Sequence, residues 1–270
     1  MSVLTRPVVG TEALVLRTWP CGESSAVTSL LTRDHGFVKV LAKAARRARS
    51  RLRALVEPGR LVHVEFTLDP RRELQYLRGG DVKLDPLGTG ATLERSAYLL
   101  GALELVDRCR PASGSSDGTG VLFAVCEEFL GVLSSPACRE PALLFFGLEW
   151  RLLAGHGMAP QVRACACCGG AAGGPEDGVP RFDPAEGGLV CPACTATGAA
   201  TGGRPVSREA LALLADLETT NLTDLADAVL TAARRREVGA MLHRFLGYHL
   251  PGYRLPAALD LLRAGRNGTT

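Results

Sequence analysis

The apolar periodicity of this chain changes once, near residue 85, and that change limits the possible folds more than any other feature. Up to residue 82 the apolar residues come in short alternating runs: "EALVLRTW" (12–19), "SAVTSLLT" (25–32), "FVKVLAKA" (37–44), "RLVHVEFT" (60–67) and "ELQYLRGGDV" (73–82). Turn signals at Pro20/Gly22, Asp34/Gly36, Pro58/Gly59 and Asp69/Pro70 separate them. In the fourth run Val62, Val64 and Phe66 share one face while His63 and Glu65 share the other, as the two-residue period of a half-buried strand requires. Five short strands in about 80 residues predict a small closed or nearly closed barrel. An OB barrel and an SH3-like barrel are both compatible with that count.

After "DPLGTGAT" (85–92) the steps become three and four residues: Leu93, Ala97, Leu100, Leu103 and Val106 in one segment, Val121, Val125, Phe129 and Val132 in the next. Residues 141–154 are apolar nearly all round, which predicts a helix buried among others. Ser207 reads as the N-cap of a helix over 208–218, with further helices over 221–233 and 235–248. The tail "RAGRNGTT" has nothing to bury and reads as frayed. A chain of 270 residues, 46% of them hydrophobic, can hold two unequal domains, here a barrel over about 1–83 and a helical domain over 84–270.

The strongest local signal lies inside the helical part. Cys165 and Cys168 stand two residues apart in "CACCGG", Cys191 and Cys194 likewise in "CPAC", with 22 residues between the pairs. Each C-x-x-C turn aims two thiolates at one point, and two such turns complete a tetrahedral cage suited to a zinc ion, Zn2+. Four cysteines fill the coordination shell, so the role is structural. Cys167 leaves an ambiguity, since it can exchange for Cys165 or Cys168; the spacing favours Cys168. The segment around these pairs, about 162–200, is rich in Gly and Pro with little apolar content, so the metal is expected to order it. Cys21, Cys109, Cys126 and Cys138 read as small core residues. Nine unevenly placed cysteines suit a reducing compartment better than a disulfide framework.

Charge is distributed unevenly. Residues 1–80 carry 14 Lys/Arg against 7 Asp/Glu, a net +7 in a chain of net +3. Within them, "VKVLAKAARRARSRLRAL" (38–55) holds seven cations and no acid: Lys39, Lys43, Arg46, Arg47, Arg49, Arg51 and Arg53. Solvated faces normally mix signs. Read as a helix, the cations form a self-repelling row; read as a strand running into a loop, Arg47, Arg49, Arg51 and Arg53 alternate. Both readings call for a polyanion, and nucleic-acid phosphate is the natural one. Trp19, Phe37, Phe66 and Tyr76 supply the large aromatic rings of this region, each compatible with core or with a stacking platform. A second cluster, Arg234, Arg235 and Arg236, reads as cations at a helix C-terminus or as an extension of the nucleic-acid path.

The run "EALVLRTWPCGESSAVTSLLTRDHGFVKVLAKAARRARSRLRALVEPGRLVHVEF" (12–66) resembles the N-terminal domain of the RecO family of bacterial DNA repair proteins, with its hairpin, its basic turn and the segment that follows. The later order of helical segment, "CACCG", "FDPAEGGLVCPAC" and terminal helices is similar to the second domain of the same family, although "LGYHLPGYRLPAALDLL" matches only loosely. The resemblance implies an α+β chain: a five-stranded OB-fold barrel followed by an all-α domain with an inserted four-cysteine zinc module. It further implies a recombination mediator that binds single- and double-stranded DNA, anneals complementary strands, and works with RecR, single-strand binding protein and, in some members, RecF to load the RecA recombinase. The basic turn of the family falls on Lys39, Lys43, Arg46, Arg47, Arg49 and Arg51; Arg53 joins them on charge alone.

The alternative is a zinc-ribbon RNA-binding or docking protein of the transcription or translation machinery. An enzyme is disfavoured: the sequence has no phosphate-binding G-x-x-x-x-G-K-[ST] loop and no H-E-x-x-H, and its five histidines show no catalytic spacing and read as facing solvent. The N-terminus lacks the features of a signal peptide, and no apolar run approaches the roughly 20 residues of a membrane span, so a cytoplasmic, nucleoid-associated protein is expected.

Overall fold

The computed structural model describes residues 7–88, 90–110, 118–172, 178–260 and 262. The tail expected to fray lies outside the described residues. The five anticipated strands form as β1 (Val8–Cys21), β2 (Ser25–Thr32), β3 (Gly36–Ala42), β4 (Leu61–Thr67) and β5 (Leu74–Leu84), closed into a barrel in the order β1-β2-β3-β5-β4. Neighbours are antiparallel except β3 and β5, whose parallel pairing joins Lys39 to Leu74 and Leu41 to Tyr76. This is the OB-fold arrangement.

Alternation decides what the barrel encloses. Ala13, Val15, Ala26, Leu30, Val40, Ala42, Val62, Val64, Phe66 and Leu77 point inward and are buried, whereas His63 and Glu65 point out. β1 bends at a bulge between Val15 and Arg17, which lets one strand pair with both β2 and β4. β5 bends at Gly80, whose φ of +145° and whose absent Cβ let it lie against the carbonyl of His63.

Two helices follow, α1 (Leu93–Arg108), capped by Thr92, and α2 (Thr119–Ser134). Their buried faces agree in part with those expected. In α1 the expected Ala97, Leu103 and Val106 are buried, together with Tyr98, Leu99, Ala102 and Leu105, whereas Leu93 and Leu100 are exposed. In α2, Val121 is 68% exposed while Phe123 is fully buried with Cys126, Phe129, Leu130 and Leu133. Both helices carry apolar residues on more than one face, so spacing alone does not single out the buried one. Arg33, between Glu12 and Glu127 at 2.6 and 2.8 Å, ties α2 to the barrel, and the hydrogen bond from Arg33 to Glu12 is the first cause of its raised pKa, with Glu127 adding to it.

The chain groups into two compact units, Met1–Pro136 with Pro256–Thr270, and Ala137–Leu255. In the first, Leu259 lies over Gly101 of α1, where a Cβ would stand only 3.2 Å from it. The second is built on α3 (Pro141–Gly155), whose residues from Pro141 to Trp150 are all buried. Against it pack α5 (Arg208–Thr219), α6 (Leu222–Asp227) and α7 (Ala232–His249); between α3 and α5 in the chain stands the short α4 (Pro192–Ala196). Gly147 lets Leu222 and Leu225 approach α3, and Gly239 does the same for Phe146 against α7. Ser207 caps α5 as anticipated, accepting from the amide of Ala210. The helix expected over 221–233 ends early, at Asp227, and the one expected from 235 begins at Ala232, because Ala228 ends α6 and Thr231 caps α7. Fully buried Glu149 faces His243 at 3.8 Å, and His243 meets the Tyr253 hydroxyl at 2.5 Å. This polar cluster corrects the expectation that the histidines face solvent; His35 likewise is half-buried, edge-on to Phe66. No helix among the described residues is long and apolar enough to cross a membrane.

Candidate nucleic-acid interface and cysteine centre

The basic stretch is a strand that runs into a packed loop. β3 ends at Ala42, and the chain then descends through successive turns, with amide-to-carbonyl bonds from Arg47 to Ala44, Ser50 to Arg47, Arg53 to Ser50 and Val56 to Arg53. Ala45, Leu55 and Val56 are buried in the barrel core, and Leu52 packs against it. The turns repeat every three residues, so the segment is not a strand, and Arg47, Arg49, Arg51 and Arg53 are all exposed. Ala44 takes a left-handed φ of +57°, with its amide facing the hydroxyl of Ser25 at 3.3 Å. That conformation costs about 1–2 kcal/mol for a residue with a Cβ.

The seven cations differ in what holds them. Lys39 is paired with Glu73. Lys43 lies 5.2 Å from the centre of the Tyr76 ring. Arg46 donates to the carbonyls of Gly22 and Glu23 at 3.2 and 3.3 Å, which pins the loop to the β1–β2 turn. Among the described residues no ion pair engages Arg47, Arg49, Arg51 or Arg53. Four like charges on one anchored loop make a concentrated positive field that an anion alone relieves.

The Arg234–Arg236 cluster is not at a helix C-terminus. It occupies the first turn of α7, just after its Thr231 cap, where cations oppose the helix dipole. Arg235 is held there by Glu140, which is 12% exposed.

The four expected cysteines come together. The Sγ atoms of Cys165, Cys168, Cys191 and Cys194 all lie within 4.8 Å of one another, with Cys168 and Cys191 3.9 Å apart. A tetrahedral ion with metal–sulfur bonds of about 2.3 Å needs sulfurs about 3.8 Å apart, so the cluster fits one. The first turn is closed by Gly169, at φ +72°, whose amide donates to the Cys165 carbonyl at 2.8 Å. The second stands at the start of α4, where the amide of Cys194 faces the sulfur of Cys191. The pairs meet because β6 (Arg181–Asp183) and β7 (Gly188–Val190) form a small sheet, completed by β8 (Arg204–Pro205), and the amide of Ala166 bonds the carbonyl of Leu189. Gly188 allows this close passage: a Cβ there would lie 2.2 Å from the Gln161 carbonyl.

Cys167 is outside the set. It is exposed and turned toward Glu186 at 3.5 Å; burial first, then that carboxylate, push its thiol up to about 11. Burial works against ionisation of Cys165, yet the amides of Cys191, Cys168 and Cys167 bring its thiol down to about 6. The Cys194 thiol is pushed up, chiefly by its hydrogen bonds to Cys191 and Cys168. Backbone amides and neighbouring thiols thus act on these sulfurs in opposite directions, as expected of a crowded thiolate set that a cation would neutralise. Cys109, Cys126 and Cys138 are buried as anticipated, but Cys21 is exposed, at the end of β1 beside the Gly22 turn.

Comparison with known proteins agrees with this architecture. The family model described as "Recombination protein O N terminal" matches residues 7–83, and "Recombination protein O C terminal" matches residues 90–258. Curated relatives named DNA repair protein RecO include those of Anaeromyxobacter sp. (strain Fw109-5), 38% identical over 93% of this chain and 94% of its own length, and Myxococcus xanthus (strain DK1622), 32% identical over 94% and 97%. That of Frankia casuarinae is 33% identical over 90% of this chain and 94% of its own. With a closed OB-fold barrel, a helical domain and both family models matched in order, the chain belongs to the recombination protein O (RecO) family of DNA repair proteins.

Proposed function

We propose that this protein is a recombination mediator: it binds single- and double-stranded DNA through the β3–β4 loop, anneals complementary strands, and helps load the RecA recombinase onto strands coated by single-strand binding protein. The observation that carries the reading is the set of four arginines that no ion pair engages among the described residues, Arg47, Arg49, Arg51 and Arg53, on a loop fixed by Ala45, Leu55 and Val56. Lys39, Lys43 and Arg46 flank them as further phosphate contacts. Such contacts hold the backbone and leave base edges free, which annealing requires. Neutralising two polyanions on one cationic surface lowers the barrier to bringing them together, and no covalent step or catalytic residue is needed. RecR, single-strand binding protein and RecF are the expected partners, and the cytoplasm with its nucleoid the expected place of action.

We further infer that Cys165, Cys168, Cys191 and Cys194 hold one structural Zn2+. Four thiolates leave the ion no open position, so its contribution is to order the segment between the pairs. The test of the mediator reading is an annealing assay with complementary strands labelled by a donor and an acceptor dye. The reading predicts annealing faster than the spontaneous rate, lost when the four arginines are changed to Ala. A protein that binds structured RNA but leaves the annealing rate unchanged would instead favour a docking role in the transcription or translation machinery.

A further inference from the structure

The barrel's outer surface carries a feature that phosphate binding does not use. The cross-strand register aligns Trp19 of β1 with Val27 of β2, Val27 with Leu41 of β3, and Leu41 with Tyr76 of β5. One row of side chains therefore crosses four adjacent strands on one face. That face is the outer one, because their neighbours in sequence turn inward: Thr18 bonds Thr28 inside the barrel, and Ala26, Val40, Ala42 and Leu77 belong to its core. Trp19, Leu41 and Tyr76 are half-buried, and the buried residues of the barrel core do not include Trp19 or Tyr76. Large aromatic rings are thus placed at both ends of an apolar row without a packing role inside.

Cations frame this row. Arg17, two residues before Trp19 on the same face, lies 6.0 Å from the centre of its ring, and Lys43, at the start of the basic loop, lies 5.2 Å from that of Tyr76. Lys39 stands one row away, aligned with Ser29 and Leu74. Toward that other end the outer face is closed: Ser29 and Leu31 are buried, and Arg110, just after α1, reaches Ser29. The row begins where this cover ends.

We propose that Trp19 and Tyr76 form a stacking site for unpaired nucleobases of single-stranded DNA, with Val27 and Leu41 as its apolar floor. This rests on the DNA-binding reading above and adds a second mode of contact to it. Every base offers a π-face, so aromatic platforms beside a cationic groove suit a single strand without demanding sequence. Three strand spacings of about 4.8 Å separate the two rings by about 14 Å, enough for each to meet a different base. Arg17 and Lys43 are flexible and exposed; when phosphates arrive they can leave the rings for the stronger charge and free the ring faces. Bases in a duplex are already stacked on each other. The site therefore distinguishes single strands from duplex, which the arginine loop alone does not.

The experiment compares binding of a labelled oligo-dT strand and of a blunt duplex of equal length by the full chain and its Trp19→Ala and Tyr76→Ala variants. Each substitution is expected to weaken single-strand binding about 5- to 150-fold, with duplex binding held within about twofold and Trp19→Phe and Tyr76→Phe restoring most of the loss. Equal losses for both forms of DNA, or no loss for the single strand, overturn the proposal while leaving the arginine loop intact. A native protein that binds neither form overturns both readings. Should the Ala variants fail to fold, the native protein still decides: Trp150 is buried, so quenching on saturation with oligo-dT reports Trp19, and saturation without quenching overturns the site.

Discussion

Changing Arg47, Arg49, Arg51 and Arg53 together to Ala removes charge from the loop without touching what anchors it, since Ala45, Leu52, Leu55 and Val56 stay in place. Each phosphate neutralised on a single strand contributes about −0.7 to the slope of log K against log salt, so four lost contacts flatten the slope by about 2.8. Between about 50 and 200 mM salt, the native protein is then expected to lose about 50-fold more affinity than the variant loses. Fluorescence anisotropy of a labelled single strand across that salt series measures both slopes. Changing Arg234 and Arg236 to Ala serves as a control and should leave the slope at the native value. A four-arginine variant that keeps the native slope refutes the assignment of these side chains to phosphate, whatever its affinity at one salt concentration.

The remaining predictions concern the fold and the cysteine centre. Phe123→Ala should cost about 3–5 kcal/mol in chemical denaturation and Val121→Ala less than about 0.5, because the first is fully buried and the second exposed; equal costs would place the wrong face of α2 against the barrel. Gly80→Ala should destabilise by about 3 kcal/mol or more, read as a lowered denaturation midpoint, since its φ is +145° and the new Cβ would stand 2.0 Å from the His63 carbonyl. Elemental analysis of the purified chain should find zinc at one ion per chain, and Cys191→Ser should lower that content while Cys167→Ser leaves it unchanged; loss of zinc on replacing Cys167 would contradict the ligand set.

What the sequence reveals follows the range of the interactions that decide it. The strands were legible because turn residues and two-residue alternation are local, and β2 runs over the anticipated residues. β1 is longer than its apolar run because Val8 to Thr11 gain partners in β4, a contact some 55 residues away. The order that closes the barrel, with β3 beside β5, is likewise non-local, and two barrel types fitted the strand count until the resemblance chose one. In α1 and α2 apolar residues stand on more than one face, so spacing alone could select Val121 over Phe123. The break between α6 and α7 turned on Thr231 acting as a cap, and without it Arg234–Arg236 fell at the wrong end of a helix. The cysteine pairs were legible from spacing, whereas excluding Cys167 needed the Gly169 turn and the direction of its thiol toward Glu186. Trp19 and Tyr76 were legible as candidate platforms, but the row that joins them was not, because it exists only in the register of four strands.

Amide hydrogen exchange with and without a saturating single strand tests the loop contact most directly. Slowed exchange is expected in residues 43–53 and in the β1–β2 turn at Gly22–Ser24 to which Arg46 holds them. Unchanged exchange there, with protection instead around Arg234–Arg236 in the first turn of α7, would contradict it and move the DNA path to the helical unit.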